Sequence, residues 1–202
     1  MEKQGIIAKV GDESSAWCHP MVVVAKPKEG IRICVDLTKL NRQIKRPILP
    51  TTSPRDAISG IKEGSKYFTT IDAKHGYWQI ELDESSQNLT TFMTPQGRYK
   101  FLRAPMGLSS TGDEYCRRHS AAIGGHPNMQ KVMDDVLLYN NNFEEHVKSV
   151  KNFLELCRKH KITLNREKFC FGETKVNFVG YVVSCDGVTP DDKKIIALNE
   201  FP

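Results

Sequence analysis

The stretch KVMDDVLLYN, residues 131–140, sets Asp134 and Asp135 side by side between two apolar runs. Two readings fit that arrangement. Asp is frequent in tight turns because its carboxylate bonds nearby backbone, so the pair reads as the connection of a hairpin. Two-residue hairpin connections favour Asn-Gly or Asp-Gly, however, because both central positions need positive φ. Adjacent carboxylates also repel, and burying them is costly unless they are paired or bound to a cation. A divalent cation removes that cost, so the second reading is metal ligation. The residues of this stretch leave both open.

A third carboxylate adds to the metal reading. Asp72 closes YFTTID, an apolar run of strand character, and is followed by AKHGYW. Carboxylates at the ends of neighbouring strands converge. Such hard oxygen ligands hold Mg²⁺, which keeps part of its water and accepts phosphate oxygens. Two such ions activate an attacking hydroxyl and stabilise a leaving pyrophosphate, which is what nucleotidyl transfer requires.

The elements that must position these groups are legible in outline. HPMVVVAKPKEGIRICVDL reads as a hairpin, with β-branched runs on either side of Lys-Pro-Lys-Glu-Gly. In RPILPTTSPRDAISGIKEG, Ser53 is placed to cap a helix with Pro54 at its first position. YFTTID is a strand that delivers Asp72 to its end, and YWQIELD is either a strand or a short helix. TTFMTPQGRYKFLRAP is a second hairpin turning at Pro-Gln-Gly. STGDEYCRRHSAAIGG is a helix, capped by Thr111 or Asp113 and ended by Gly124. KVMDDVLLYN follows as strand–turn–strand. FEEHVKSVKNFLELCRKHKI is the clearest helix, with Val147, Val150, Leu154 and Cys157 forming its apolar stripe. TKVNFVGYVVSCDGVT supplies two short strands, and TPDDKKIIALNEFP begins a further helix. Alternating strands and helices predict an α+β fold, an antiparallel sheet with helices packed on one face.

With 202 residues, 39% hydrophobic and 26% charged, the chain is predicted to be an ordinary globular protein of one sizeable domain or two small ones. The net charge of +5 suits a polyanionic partner without requiring one. Six cysteines contain no CxxC pair, which argues against structural zinc and for reduced thiols. MEKQGIIAKV lacks the apolar core of a secretory leader. MVVVAKPK is far too short to span a bilayer, so no membrane association is expected.

In order along the chain, SAWCHPMVVVAKPKEGIRICVDLTKLN, YFTTIDAKHGYWQIELDESSQNLTTFMTPQGRYKFLRAPMGL, KVMDDVLLYN, HVKSVKNFLELCRKHKITLNREKFCF and VNFVGYVVSCDGV resemble successive blocks of the reverse transcriptase of gypsy-type LTR retrotransposons, the Metaviridae. The resemblance implies a right-hand polymerase fold. The fingers would take roughly 1–47 and 80–110, and the palm 48–79 and 111–185. A thumb would begin at 186–202. It also implies RNA-directed DNA polymerase activity, with dNTPs joined to a primer 3′-hydroxyl on an RNA or DNA template.

In that family the first aspartate and the adjacent pair bind two Mg²⁺ ions, for which Mn²⁺ can substitute. Here these are Asp72, Asp134 and Asp135, with the Ala73 carbonyl as a further ligand. Lys26 and Arg32 match the residues that grip the triphosphate, and Lys28 competes with Lys26 for that role. An Arg fork suits phosphate oxygens. Tyr77 matches the aromatic that stacks under the sugar and excludes a 2′-hydroxyl. Met106 and Gly107 match the segment beside the incoming nucleotide. Lys168 sits where polymerases place a general acid for pyrophosphate. Val179, Gly180 and Tyr181 match the strand pair that holds the primer.

Two departures stand out. Val132 precedes MDD where the superfamily usually has Tyr, and GLSSTGDEYCRR replaces the commoner GLxNAPxxFQ. The resemblance further implies RNase H, integrase and thumb parts of a Pol polyprotein as partners. It implies a place in a cytoplasmic virus-like particle or in the nucleus. Its alternative is a truncated or domesticated remnant that binds nucleic acid with little turnover.

Overall fold

Local sequence sets several element boundaries directly. Ser53 caps the helix Pro54–Ser59 by accepting from Asp56 N, with Pro54 at the first helical position. Asn142 caps the helix Phe143–Lys159 by accepting from Glu144 N and Glu145 N. Glu144 and Glu145 lie at the positive end of that helix and Arg158 and Lys159 at the negative end, both favourable to its dipole. The computed structural model describes residues 1–11, 14–25, 31–46, 49 and 51–191. Along the chain these form β1 (Ile7–Lys9), β2 (Met21–Ala25), β3 (Ile31–Val35), α1 (Thr38–Asn41), α2 (Pro54–Ser59), β4 (Tyr67–Asp72), α3 (Glu84–Gln87), β5 (Phe92–Thr94), β6 (Gly97–Phe101), α4 (Thr111–Ile123), β7 (Met129–Val132), β8 (Asp135–Asn140), α5 (Phe143–Lys159), β9 (Cys170–Glu173), β10 (Lys175–Phe178), β11 (Tyr181–Ser184) and β12 (Gly187–Pro190).

The chain divides into two compact units, Met1–Leu49 with His75–Arg117, and Pro50–Lys74 with Arg118–Pro202. In the first, β1-β6-β5 form one antiparallel sheet and β2-β3 a separate hairpin. Its core gathers Ile6, Val35, Leu37, Leu40, Phe92 and Phe101.

The second unit is built on an antiparallel sheet in the order β7-β8-β4-β9. Period-two alternation gives its two central strands two different faces. Ile71, Val136 and Leu138 face α4 and α5, where they pack with Ile123, Val150, Phe153 and Cys157. Phe68, Leu137 and Tyr139 face the other way, against Ala57 of α2 and against Val176, Phe178 and Val183 of the β10-β11-β12 sheet. Register places Asp72 and Asp135 on this second face, in line with Phe68 and Leu137. Among the described residues no helix is long and apolar enough to cross a membrane.

Three expectations are corrected, and a fourth, left open between strand and short helix, is decided. The buried stripe of α5 is His146, Val150, Phe153 and Cys157, whereas Val147 and Leu154 are each 40% exposed. The helical repeat puts residues 146, 150, 153 and 157 on one face, and 147 and 154 lie beside it. TKVNFVGYVVSCDGVT gives β10, β11 and most of β12 rather than two strands. Of the two alternatives for YWQIELD, the short helix is the one that forms, as a 3-10 helix over Gly76–Gln79. The helix expected over TPDDKKIIALNEFP does not begin at Thr189, because Thr189 and Pro190 belong to β12, paired with Val182 and Tyr181; its residues after Asp191, and the Lys-Pro-Lys-Glu-Gly turn, lie outside the described residues.

Candidate active site

β4 and β8 carry the site. They pair antiparallel from Tyr67↔Asn140 to Asp72↔Asp135, so two of the three carboxylates stand directly opposite each other at the sheet's end. The third is displaced by the hairpin. Val132 pairs with Asp135, which makes Met133 and Asp134 the two-residue connection. The sequence reading placed the Asp pair in the turn. Instead the turn begins one residue earlier, and Asp135 is the first residue of β8. Met133 has φ 53°, a left-handed backbone that glycine favours, at the head of this connection.

The electrostatics are those of crowded, like charges. Burial raises the Asp134 carboxyl above the ordinary range, and the charges of Asp72 and Asp135 add to the effect. Burial, then Asp72, raises that of Asp135. Asp134 Oδ1 is buried and has no hydrogen-bond partner. Lys168 Nζ donates to Asp72 Oδ2 at 2.7 Å, and that bond raises the ammonium's own pKa. Lys168 follows Asn165, whose side chain caps a 3-10 turn by accepting from Glu167 N. Asn165 N in turn donates to Asp72 O, and Ala73 bridges Leu164, so the segments bearing Lys168 and Asp72 are tied through backbone.

A cavity of about 570 Å³ opens beside Asp72, Asp135 and Lys168, and Asp134 is not part of its lining. Its lining includes Asp72, Asp135, Lys168, Cys170, Lys175 and Val179. Among the described residues no set of three or more His, Cys, Asp and Glu side chains is already arranged to hold a metal ion. The donor chemistry nevertheless fits a hard cation. Three carboxylates stand near one another, one oxygen is buried without a partner, and an ammonium neutralises part of the charge.

Val179 and Gly180 are the two residues joining β10 to β11, both with positive φ (44° and 81°), and Tyr181 begins β11. They therefore form the turn of the expected strand pair. The remaining candidates belong to the first unit. Tyr77 is half-buried, with its ring edge-on to Tyr115 at 5.7 Å. Met106 and Gly107 are exposed, and Asn41 staples their loop to α1, donating to Gly107 O at 2.8 Å and accepting from Ser109 N at 2.9 Å. Arg32 lies in β3 opposite Val24. Lys26 and Lys28 lie outside the described residues.

Sequence reasoning passed over Asn41 and a buried set around His146. The signal for the latter was a histidine four residues before Val150, on the apolar stripe of an amphipathic helix.

An antiparallel sheet that presents opposed carboxylates beside a hairpin turn, joined to a second α+β unit, is the palm-and-fingers architecture of nucleic-acid polymerases. A family model described as reverse transcriptase (RNA-dependent DNA polymerase) matches residues 24–183. The chain is 31% identical over 199 residues to the retrovirus-related Pol polyprotein from transposon opus of Drosophila melanogaster, covering 94% of this chain and 19% of that polyprotein. It is 30% identical over 208 residues to the corresponding polyprotein from Drosophila transposon 297, covering 100% of this chain and 19% of the relative. Among solved structures, the foamy viral protease-reverse transcriptase dRH in complex with double-stranded DNA superposes with a TM-score of 0.92 at 18% identity, over 100% of this chain and 35% of that one. The foamy viral protease-reverse transcriptase in complex with an RNA/DNA hybrid gives 0.88 at 18% identity, over 100% of this chain and 27% of that one. The chain belongs to the reverse transcriptase family, in its gypsy-type branch, and spans about a fifth or less of the curated polyproteins it matches.

Proposed function

We propose that this chain is the fingers and palm of an RNA-directed DNA polymerase that adds dNTPs to a primer 3′-hydroxyl on an RNA or DNA template. The observation that carries the reading is the cross-strand pairing of Asp72 with Asp135, next to a buried, partnerless oxygen of Asp134. In the reaction the 3′-oxygen bonds to the α-phosphorus as the bond to the leaving pyrophosphate breaks. Asp72, Asp134, Asp135 and the Ala73 carbonyl are the groups that would hold Mg²⁺ or Mn²⁺. Bound there, such ions lower the pKa of the attacking hydroxyl and neutralise phosphate charge. Lys168 supplies a proton-bearing ammonium at the rim of the same cavity. Tyr77 sets the sugar preference, and Lys26, Arg32, Met106 and Gly107 contact the nucleotide. Val179, Gly180 and Tyr181 support the primer. The foamy viral complexes with DNA and with an RNA/DNA hybrid are the basis for assigning a primer–template partner.

Primer extension on poly(rA)/oligo(dT) with Mg²⁺ or Mn²⁺ tests the reading. Incorporation by the wild-type chain that Asp134→Asn abolishes is the expected result. Binding of primer–template without incorporation in either protein would replace the polymerase reading by that of a nucleic-acid-binding remnant.

A further inference from the structure

Behind the carboxylates, on the helix-covered face of the sheet, lies a fully buried polar chain. His146 and Thr69 are both 0% exposed, and Asn140 is 6% exposed. Thr69 Oγ1 lies 2.6 Å from His146 Nε2, and His146 Nδ1 lies 2.9 Å from Asn140 Oδ1. Asn140 Oδ1 only accepts, so Nδ1 carries the imidazole proton and Nε2 accepts from the Thr69 hydroxyl. The Thr69 oxygen accepts in turn from Gly172 N at 3.1 Å. Buried polar groups in an apolar layer persist where each finds a partner, and here the donors and acceptors run in one direction from β9 to β8.

Thr69 is also where the β4–β9 ladder breaks. Phe68 pairs with Glu173 and Thr70 with Cys170, so Phe171 and Gly172 together oppose Thr69. That is a β-bulge, with Gly172 at φ 66°. The bulge takes Gly172 N–H out of the regular ladder, and the Thr69 hydroxyl receives it. Because side chains alternate along a strand, one extra residue reverses which face all upstream residues present. Those upstream residues are Cys170 and the turn carrying Lys168, which both line the Asp72 cavity.

We infer that His146 is a positioning residue: through Thr69 it locks the β9 bulge in the phase that delivers Lys168 to Asp72. The structural part stands on the geometry alone. The consequence for nucleotide addition rests on the polymerase reading above.

Two readouts separate these parts. Cys170 and Cys185 are both exposed, so the rate of iodoacetamide alkylation of Cys170 relative to Cys185, read by peptide mass mapping, reports the phase of β9. Incorporation on primer–template reports the catalytic effect. Thr69→Val deletes the hydroxyl at nearly constant shape, and Thr69→Ser restores it. In T69V the Cys170/Cys185 ratio should shift by about threefold or more and incorporation fall by about tenfold, with T69S within about twofold of wild type in both. Wild-type values of both in a folded T69V overturn the proposal. Should T69V fail to fold, Gly172→Ala attacks the same bulge, since φ 66° disfavours Ala and its Cβ would lie 3.2 Å from Phe143 Cε2. An unchanged Cys170 ratio there overturns the proposal equally. The imidazole ¹⁵N spectrum of the wild-type chain needs no variant: a His146 protonated on Nε2 rather than Nδ1 refutes the relay. A wild-type chain that incorporates no nucleotide defeats the polymerase reading and leaves the Cys170 ratio to decide the relay.

Discussion

Asp72 and Asp135 occupy directly paired positions across β4 and β8, two carboxylates facing each other at the end of the ladder. Like charges directly opposite each other destabilise a sheet, and the Asp72 charge helps to raise the Asp135 carboxyl. Removing one charge should therefore stabilise the cation-free protein. Asp135→Asn is expected to gain about 0.5–1 kcal/mol near neutral pH in urea denaturation with a chelator present. The pH dependence gives the sign. A carboxyl raised on folding contributes stability that is complete below its unfolded value, about 3.9, and is lost as pH rises through its folded value. Wild type should gain on D135N as pH falls from neutral through that window, so the difference between them should shrink toward acid. A difference that is flat with pH refutes the coupling.

Divalent cation should reverse the order of stabilities. If Asp72, Asp134 and Asp135 ligate Mg²⁺, saturating ion stabilises the wild-type chain and not Asp72→Asn or D135N. A hundredfold excess over the dissociation constant adds about 2.7 kcal/mol. Thermal scans with and without Mg²⁺ measure this. Equal shifts in wild type and both variants would place the ion elsewhere.

Lys168 holds Asp72 with a single hydrogen bond from a side chain that is 63% exposed. An exposed pair of this kind contributes under about 1 kcal/mol, so Lys168→Met should change stability little. Its effect on chemistry should be larger. A positioned proton donor is typically worth about 10²-fold or more in rate, and single-turnover incorporation by K168M should fall on that order, with primer–template affinity kept. A rate within about threefold of wild type would reduce Lys168 to a counter-charge.

What the sequence made legible was mostly local. Ser53 and Pro54 announce α2 by capping chemistry, and the apolar run before Asp72 places that carboxylate at a strand end. The hairpin around Asp134 was expected, but not its phase. Turn propensity pointed to Asp-Asp, whereas cross-strand pairing of Val132 with Asp135 puts Met133 in the left-handed position. On α5, Val147 and Leu154 are as apolar as Val150, so hydropathy alone does not tell the inward face. The contact of His146 with Thr69, far apart in sequence, settles it. The β9 bulge was invisible for the same reason, because it exists only as a mismatch between two strands distant in the chain.

The first unit offers a test of sugar selection. Gly76 is buried directly beneath Tyr115, where an added Cβ would lie 2.8 Å from ring carbon Cε2. Tyr115 is 1% exposed and cannot retreat into solvent without leaving the core. Its ring meets that of Tyr77 edge-on at 5.7 Å, so Gly76→Ala should displace both rings. Overpacking of this kind costs about 1–3 kcal/mol, and the expected fall in melting temperature is the first check. The second is discrimination. If Tyr77 excludes the 2′-hydroxyl, Tyr77→Val should raise the kcat/KM ratio of rNTP to dNTP by about tenfold or more, which is about 1.4 kcal/mol of lost selectivity. G76A should change the same ratio while Lys168→Met does not, because only the former moves the ring. A ratio unchanged in Y77V would remove Tyr77 from sugar selection and leave the Tyr77–Tyr115 contact as packing alone.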